Sequence, residues 1–459
     1  MALLHPRHWL LLSLLVPALS LGGCTTNGEG SSGADDAQEG PSYYGGVKDI
    51  LDARCGSCHQ DGAIAPFSLS NYEEASALQS VIAHSIEQGS MPPWMPDNTC
   101  NDYKRDLSLT DQERADVLDW ISAGAREGEA GVEEPGDPPA SVTIRPDAEI
   151  TMAEPYTPQV APDDYRCFVM DWDETEAKYV TGFKVNPGRP EMVHHVIAFV
   201  INPSAVDDFL AMDEADEGPG YTCFGSPSVG LSSVAGASSW RWLGSWTPGG
   251  GARLMPEDTG VAIQPGSVIV TQLHYNTLEA EPASDVTSIQ FQLDDEVAKP
   301  ALVMPITRYQ WIAGSESMTI PAGSKDTVHT MRADISENFL GYIGSPIGLD
   351  TGDSYQIHSI GIHMHLLGTR GRIWLERADS SQQCLLDIPE WDFNWQGTYE
   401  LQEPITVHSG DIFHMECQWD NSAENQVIVD GEQLPAQDIE WGDGTRSEMC
   451  LAIAYVTAP

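Results

Sequence analysis

Histidines and one methionine recur in the second half of the chain at spacings that suit metal binding. His363 and His365 form an H-x-H pair in a run of alternating apolar residues, so on a strand both side chains project from one face. Two imidazoles at that spacing can chelate one metal ion, although an isolated pair is more often structural. The adjacent His194 and His195 cannot share a face of a regular strand, so joint ligation requires a strand end or a bulge.

Two further residues extend this pattern. His274 follows Gln272 on the same predicted strand face, and Met449 lies in the sequence Glu448-Met449-Cys450. Each residue alone is more typical of a protein core. An all-imidazole set together with a set of two histidines and one methionine suits copper that cycles between the +1 and +2 states. Imidazole binds both states, whereas a thioether favours Cu(I).

A different motif lies near the N-terminus. Cys55 and Cys58 are followed directly by His59 in a C-x-x-C-H sequence, which is the attachment signature of haem c. The two thiols would add to the haem vinyl groups, and His59 would be one axial ligand of the iron. Met91, in a proline-rich loop, is the predicted distal ligand, because a thioether favours ferrous iron. The alternative distal ligands are Met95 and His84.

The N-terminal residues 1–24 are predicted to be a lipoprotein signal peptide. A basic start and an apolar run end in the sequence LGGC at Cys24, which resembles a bacterial lipobox, so Cys24 is the expected lipid attachment residue. An ordinary secretory signal with a chance cysteine is the alternative. Residues 25–42 are then a flexible tether. We expect an exported bacterial lipoprotein in the periplasm or at the outer membrane or cell surface, held to the membrane by its lipid alone.

Export affects the remaining cysteines. Beyond Cys24 and the haem motif the chain has an even number, and an oxidising compartment favours disulfides between them. The sequence alone leaves fifteen pairings open. These cysteines are Cys100, Cys167, Cys223, Cys384, Cys417 and Cys450.

The pattern of apolar residues and turn signals divides the chain into a predicted helical part and a predicted β part. Residues 43–126 contain helix signals, including a capping box at Thr110–Glu113, and are the size of a small α-helical cytochrome c domain. Residues 127–144 form an acidic, Pro/Gly-rich linker. The remainder alternates short apolar strands with turn signals and is too long for one β sandwich, so two all-β domains are predicted at 145–298 and 299–459.

The charge balance excludes one class of partner. Lys and Arg total 22 against 69 Asp and Glu, which gives a formal net charge of −47. A polyanion would be repelled, so nucleic acid is not an expected partner. The charge is better explained by solubility.

The ordered motifs resemble the type II, ascorbate-dependent copper monooxygenases, which include peptidylglycine α-hydroxylating monooxygenase and dopamine β-monooxygenase. The resemblance covers roughly residues 145–459. The family's His-His and Gln-x-His-Tyr motifs are similar to His194-His195 and Gln272–Tyr275. Its His-x-His and Glu-Met-Cys motifs are similar to His363–His365 and Glu448–Cys450. The implied ligands of the electron-transfer copper are His194, His195 and His274, and those of the oxygen-binding copper are His363, His365 and Met449.

The resemblance also implies a fold and disulfides. Two jelly-roll-like sandwich domains would carry one copper each and face one another across an open, solvated cleft. The family pairs the cysteine after the methionine with one on a preceding strand, which implies Cys417–Cys450. Cys167 and Cys223 are candidate partners in the first β domain. Cys100 and Cys384 remain unassigned.

Departures from the family pattern bear on the substrate. The peptide-hydroxylating member holds its substrate carboxylate with an Arg two residues before the H-x-H and with an Asn and a Tyr after the Met. The matching residues here are Gly361, Leu451 and Ile453. A glycine-extended peptide is therefore not expected, and a small apolar or aromatic molecule with an activated C–H bond fits better.

The expected activity is hydroxylation by O2 with two coppers and one covalently attached haem c. The haem would receive electrons from ascorbate or a periplasmic redox protein and deliver two of them, one at a time, to the electron-transfer copper. Gln272 would orient the substrate or carry coupling. Two alternatives stay open: a non-catalytic periplasmic electron carrier or copper-binding lipoprotein, and a haem-dominated enzyme with structural β domains.

Overall fold

A computed structural model describes residues 40–61, 65–129, 142–228, 239–247, 250–277, 280–429, 432–442, 444 and 446–459. The predicted signal peptide, Cys24 and most of both linkers lie outside these residues. The described chain forms two compact units. One contains residues 40–92 and 109–129, and the other contains residues 93–108 together with the chain from 142 onwards.

The first unit is helical. After a π-helical turn at Tyr43–Val47 its helices are α1 (Lys48–Arg54), α2 (Tyr72–Ala77), α3 (Gln79–Glu87) and α4 (Asp111–Ser122). The predicted capping box begins α4: the Thr110 hydroxyl accepts from Glu113 N at 3.1 Å, and the Glu113 carboxylate accepts from Thr110 N at 2.7 Å. Val117 and Trp120 of α4 are fully buried in the core of this unit.

The second unit consists mainly of strands. The strands before residue 298 are β1 (Ala148–Thr151), β2 (Asp163–Asp171), β3 (Lys178–Asn186), β4 (Val193–Ile201), β5 (Tyr221–Thr222), β6 (Trp240–Trp246), β7 (Arg253–Leu254), β8 (Thr259–Ile263), β9 (Val268–Asn276) and β10 (Ser288–Asp294). Those after it are β11 (Lys299–Ile306), β12 (Thr327–Ala333), β13 (Tyr355–His363), β14 (Gly368–Glu376), β15 (Gln382–Ile388), β16 (Thr398–Val407), β17 (Ile412–Trp419), β18 (Ile428–Val429), β19 (Glu432–Gln433) and β20 (Leu451–Thr457).

Short helices connect some of these strands: α5 (Val206–Ala215), α6 (Tyr309–Ile312), α7 (Ile335–Asn338) and α8 (Leu340–Ile343). Single 3-10 turns lie at Pro203–Ala205, Ser345–Ile347, Phe393–Trp395 and Ala423–Asn425. In the described part of the chain, no helix has the length and apolar character of a membrane span.

Two β sandwiches share one strand. The largest sheet runs β1-β10-β3-β8-β11-β6-β4-β9-β2-β5, and β11 also pairs with β20, which continues to β13 and β16. Alternate residues of β11 face two different cores: Ala301 and Val303 belong to the first, and Leu302 and Met304 to the second. The sequence of a strand that is buried on both faces is a continuous run of apolar residues. The predicted all-β architecture is therefore confirmed.

The second core lies between two sheets. One face is β13, β16 and β20, and the other is the four-stranded sheet β12-β17-β14-β15. The core contains side chains from both sheets, such as Ile360 of β13 and Met415 of β17. This sandwich places the start of β20 beside the end of β13.

Three disulfides link residues of the β unit: Cys100–Cys384, Cys167–Cys223 and Cys417–Cys450. The last two join the residues that the sequence analysis placed together. The first fixes residues 93–108 to β15. In the same segment Tyr103 forms a β-bridge with Leu401 and donates its hydroxyl to Leu385 O at 3.0 Å. The segment lies inside the predicted 43–126 range, but it folds with the strands.

The double variant Cys100→Ser/Cys384→Ser tests how much this attachment contributes. The two cysteines are 284 residues apart, so their cross-link restricts a long loop of the unfolded chain. We expect the free energy of unfolding of the β unit to fall by about 2–5 kcal/mol, measured by chemical denaturation. The control variant Ser380→Ala/Ser409→Ala, which changes two exposed serines of the same unit, should have little effect on stability. An unchanged stability of the cysteine variant would contradict the attachment by this disulfide.

Candidate metal centres

The three histidines of the first sandwich lie side by side on adjacent strands. In the pairing of β4 with β9, His195 lies opposite His274, and the register shifts between Val193 and His195. This irregularity at His194 is the bulge that joint ligation by adjacent histidines requires. It lets the two neighbouring imidazoles point to the same side of the sheet. One potential ligand atom from each of His194, His195 and His274 lies within 4.8 Å of the others.

Neighbouring side chains fix the orientation of His274. Its Nε2 lies 2.8 Å from Asp163 Oδ1, so Nε2 carries the proton and Nδ1 is the nitrogen left for a ligand. Asn276 donates to the same carboxylate oxygen at 2.9 Å. The ring of Tyr165, directly across the strand pair, stacks on His274 at a centroid distance of 4.0 Å.

The remaining nitrogens fit a metal ion. His274 Nδ1 lies 3.3 Å from His195 Nδ1, so two imidazole nitrogens converge on one point. Nδ1 of His194 is buried and has no hydrogen-bond partner among the described residues. A buried polar atom without a partner is costly unless a ligand satisfies it. This all-imidazole donor set suits copper.

Burial keeps these imidazoles neutral. Removal from water lowers the pKa of His194 to about 3 and also lowers the pKa values of His195 and His274. The neighbouring histidines lower the pKa values of His194 and His195 further. A histidine must be unprotonated to bind a metal. The site is therefore ready to bind a cation at neutral pH without losing protons first.

Asp163→Asn should weaken this site. The variant keeps the size of the side chain but removes the charge that holds the His274 proton, and loss of such an outer partner typically lowers metal affinity about 10–100-fold. The measurement is a copper titration of the full chain against a competing chelator. Asp295→Asn, which changes an exposed carboxylate, is the control. Equal copper affinities for the two variants would contradict the assigned role.

The second histidine set lies at the end of β13. His363 is the last residue of the strand and pairs with Leu451 of β20. Because the strands are antiparallel, the same register continued by two residues brings His365 opposite Met449. The rings of His363 and His365 are 5.0 Å apart and nearly perpendicular. The fold thus brings together the two histidines and the methionine.

Hydrogen bonds select one nitrogen on each ring. Nδ1 of His365 donates to Ser447 O at 2.8 Å, and Nδ1 of His363 bonds to Gln396 Oε1. The amide of Gln396 is itself held, because its Nε2 donates to Phe393 O at 3.0 Å. Nε2 of each histidine is therefore the nitrogen available to a ligand. Burial lowers the pKa of His363 to about 4 and that of His365 to about 3, so both rings are neutral.

A buried carboxylate supports the loop that carries His365. Glu448 accepts hydrogen bonds from His365 N at 2.8 Å, Leu367 N at 2.7 Å and Trp419 Nε1 at 2.8 Å. Its burial raises its pKa to about 7, because the charged form loses its hydration. Met449 follows Glu448 directly, and the disulfide at Cys450 fixes the other side.

One cavity of about 650 Å³ serves both histidine sets. It is lined from the first set by His195 and from the second by His363, His365 and Met449. Gln272 also lines it, and its buried Oε1 has no hydrogen-bond partner among the described residues. This size is typical of sites for small molecules.

A single aromatic side chain contacts both sets. The Phe393 ring stacks on His194 at 5.0 Å and meets His365 edge-on at 6.2 Å. Phe393 begins the short 3-10 turn Phe393–Trp395. Together with Asp163 and Gln396, it is a residue of the site that motif reasoning did not find. Its only signal in the sequence was its place between two tryptophans, Trp391 and Trp395.

The predicted haem residues lie in the helical unit. Cys55 and Cys58 are half-buried and form no disulfide, and His59 Nδ1 lies 3.2 Å from Phe67 O, which leaves Nε2 available for an iron ion. Burial raises the pKa of Cys55 to about 12. Of the alternative distal ligands, Met95 is buried in the second β core, where its sulfur accepts from Asp392 N at 3.3 Å.

Comparisons with known proteins bear on the second sandwich. Residues 315–457 match the family model of the copper type II ascorbate-dependent monooxygenase C-terminal domain. Among solved structures, the match to the major capsid protein P2 from bacteriophage PM2 covers 68% of this chain and 97% of the capsid protein chain. The sequence identity is 9% and the TM-score is 0.24. The match to the infectious bursal disease virus VP2 subviral particle covers 69% of this chain and 72% of the VP2 chain. The sequence identity is 12% and the TM-score is 0.17.

These structural likenesses are too weak to support an argument about fold or function. The family match includes the second histidine set and Met449. Residues 315–457 are thus similar to the C-terminal domain of copper type II ascorbate-dependent monooxygenases, and this match supports an oxidoreductase of the monooxygenase class.

Proposed function

We propose that the chain uses two copper ions to hydroxylate an activated C–H bond of a small apolar or aromatic substrate. The balanced reaction converts the substrate, O2, two electrons and two protons into the hydroxylated product and water. The observation that carries the proposal is that residues of both histidine sets line one cavity. A substrate in that cavity would lie beside both metal ions.

Copper bound by these residues would supply O2 activation and one-electron transfer. The three-histidine set would hold the electron-transfer ion, and His363, His365 and Met449 would hold the oxygen-binding ion. The protein contributes neutral imidazoles in fixed orientations and a methionine that is 8% exposed. The soft thioether of Met449 favours the reduced ion.

The cavity walls indicate what the substrate resembles. Trp242, Trp246 and Phe224 line it, together with Gly361 and Ile453 at the positions where the peptide-hydroxylating member carries polar groups. Aromatic and aliphatic walls favour an apolar body. The unpartnered Gln272 Oε1 would accept a hydrogen bond from the substrate and so orient the reacting carbon.

We further propose that a haem c attached to Cys55 and Cys58 supplies the electrons. His59 and Met91 would be its axial ligands. The support is the free thiol pair and the orientation of His59. In addition, Met91 is only two residues before Pro93, the first residue of the segment 93–108 that Cys100–Cys384 links to β15. Ascorbate or a periplasmic redox protein would reduce the haem.

The lipid anchor at Cys24 is also a proposal. It rests on the lipobox-like sequence, which lies outside the described residues. Radiolabelled palmitate fed to expressing cells should label the full chain, and Cys24→Ser should remove the label. Incorporation that persists in the variant would contradict attachment at this residue.

Oxygen uptake tests the catalytic proposal. The copper-loaded full chain, reduced with ascorbate, should consume O2 in a substrate-dependent way and place one atom of ¹⁸O2 in the product. Catalase added to the assay removes the contribution of hydrogen peroxide. Tight copper binding without substrate-dependent uptake for any aromatic or aliphatic compound would instead support a non-catalytic electron carrier.

A further inference from the structure

Arg253 is a cation in the cavity wall that forms no ion pair with a carboxylate among the described residues. It lies on β7, where it pairs with Phe183 of β3, and its half-buried side chain lines the same cavity as His363 and Met449. Among the described residues its single hydrogen bond is a long one, from Nη2 to Thr398 O at 3.5 Å. A guanidinium has five N–H donors, so most of its donors are left without a protein partner.

The carboxylate that acts electrostatically on Arg253 is that of Glu400, which already has two other cationic partners. Glu400 forms ion pairs with Lys104 at 2.9 Å and with Arg105 at 3.0 Å. Arg253, Lys104 and Arg105 thus place three positive charges around the single negative charge of Glu400. Such an excess is unusual in a chain with a net charge of −47. Burial lowers the pKa of Arg253, because its charged form loses hydration that an anion beside it would replace.

The position of Arg253 relates it to the second histidine set. Thr398, which accepts its hydrogen bond, pairs with Gly361 across β16 and β13. Gly361 is two residues before His363 on the same strand, which corresponds to roughly 7 Å along the strand axis. This separation is comparable to the length of a small aryl carboxylate. A molecule bound to Arg253 by its acidic end can therefore extend along β13 towards His363.

We propose that Arg253 binds the carboxylate of the substrate, so that the substrate class is an apolar or aromatic carboxylic acid. That this ligand is the substrate rests on the proposed function. Guanidinium and carboxylate form paired, charge-assisted hydrogen bonds that fix orientation as well as affinity. The aromatic walls would hold the remainder of the molecule.

Binding of phenylacetate and phenylacetamide tests this proposal. The two probes have nearly the same shape and differ in charge. Isothermal titration calorimetry of the metal-free full chain should show phenylacetate binding about tenfold or more tightly, with an affinity that falls as salt rises. Arg253→Met should abolish the preference, whereas Arg253→Lys should retain part of it. Arg332→Met, which removes an exposed positive charge on β12, should leave the preference unchanged.

Equal affinities for the two probes, or an undiminished preference in Arg253→Met, would overturn the assignment. If Arg253→Met does not fold, Arg253→Gln provides the same test with a polar side chain. Copper content of the wild-type chain separates this inference from the proposed function. A carboxylate preference that depends on Arg253 in a chain that binds no copper would support the anion site and overturn the monooxygenase mechanism.

Discussion

Replacing His363 with alanine is expected to remove the copper of the second set and to lower O2-dependent turnover by about a thousandfold or more. The imidazole is one of two that the end of β13 and the following loop bring together, at a centroid distance of 5.0 Å from His365. Without it, one imidazole and one thioether remain to hold the ion. A metal contribution of several kcal/mol to the barrier corresponds to a loss of about this size.

The control for this variant lies on the same strand. His358 is buried, bonds to Thr457 at 2.9 Å and does not line the cavity. His358→Ala should lower stability but keep full copper content and most of the turnover per folded molecule. The absorption spectrum of the proposed haem c should be the same in both variants. Normal turnover in a folded His363→Ala protein would show that this residue does not serve the reaction.

Replacing Glu448 with alanine is expected to cost at least about 3 kcal/mol of folding free energy and to weaken copper binding at the second set. The carboxylate satisfies three buried donors: the backbone N–H groups of His365 and Leu367 and the indole of Trp419. Each donor left without a partner costs about 1–3 kcal/mol. The loop between β13 and β14 would lose the contacts that place His365 opposite Met449.

Two comparisons make the Glu448 result specific. Glu448→Gln keeps an acceptor oxygen but turns an NH2 group towards the donors, so its stability should lie between wild type and alanine. Glu440→Ala removes an exposed carboxylate that bonds to Ser317 and should cost little. Chemical denaturation and copper titration are the measurements. A Glu448→Ala protein as stable as Glu440→Ala would contradict the structural role of this carboxylate.

The histidine arrangement could be anticipated because it depends on local geometry. The alternation around His363 indicates a strand face, and the adjacency of His194 and His195 requires an irregularity, which the structure shows between Val193 and His195. The two β sandwiches follow from the same alternation. Their shared strand β11 does not, because an apolar run gives no sign that its two faces belong to different cores.

The supporting residues could not be predicted, since they come from distant parts of the chain. Asp163 is 111 residues from His274, and Gln396 lies in a turn 33 residues after His363. A lone aspartate or glutamine carries no spacing pattern. The Cys100–Cys384 bond has a separation of 284 residues and depends on the folding of residues 93–108 with the strands, which their sequence beside a helical domain does not suggest.

The central claim is that this chain holds one copper ion at each histidine set. The most direct test is elemental analysis of the purified full chain after copper reconstitution and removal of loosely bound metal. We expect two copper ions per chain, together with one iron from the proposed haem c. A chain that retains iron but no stoichiometric copper would contradict it and leave the cavity without the metals on which the proposed reaction depends.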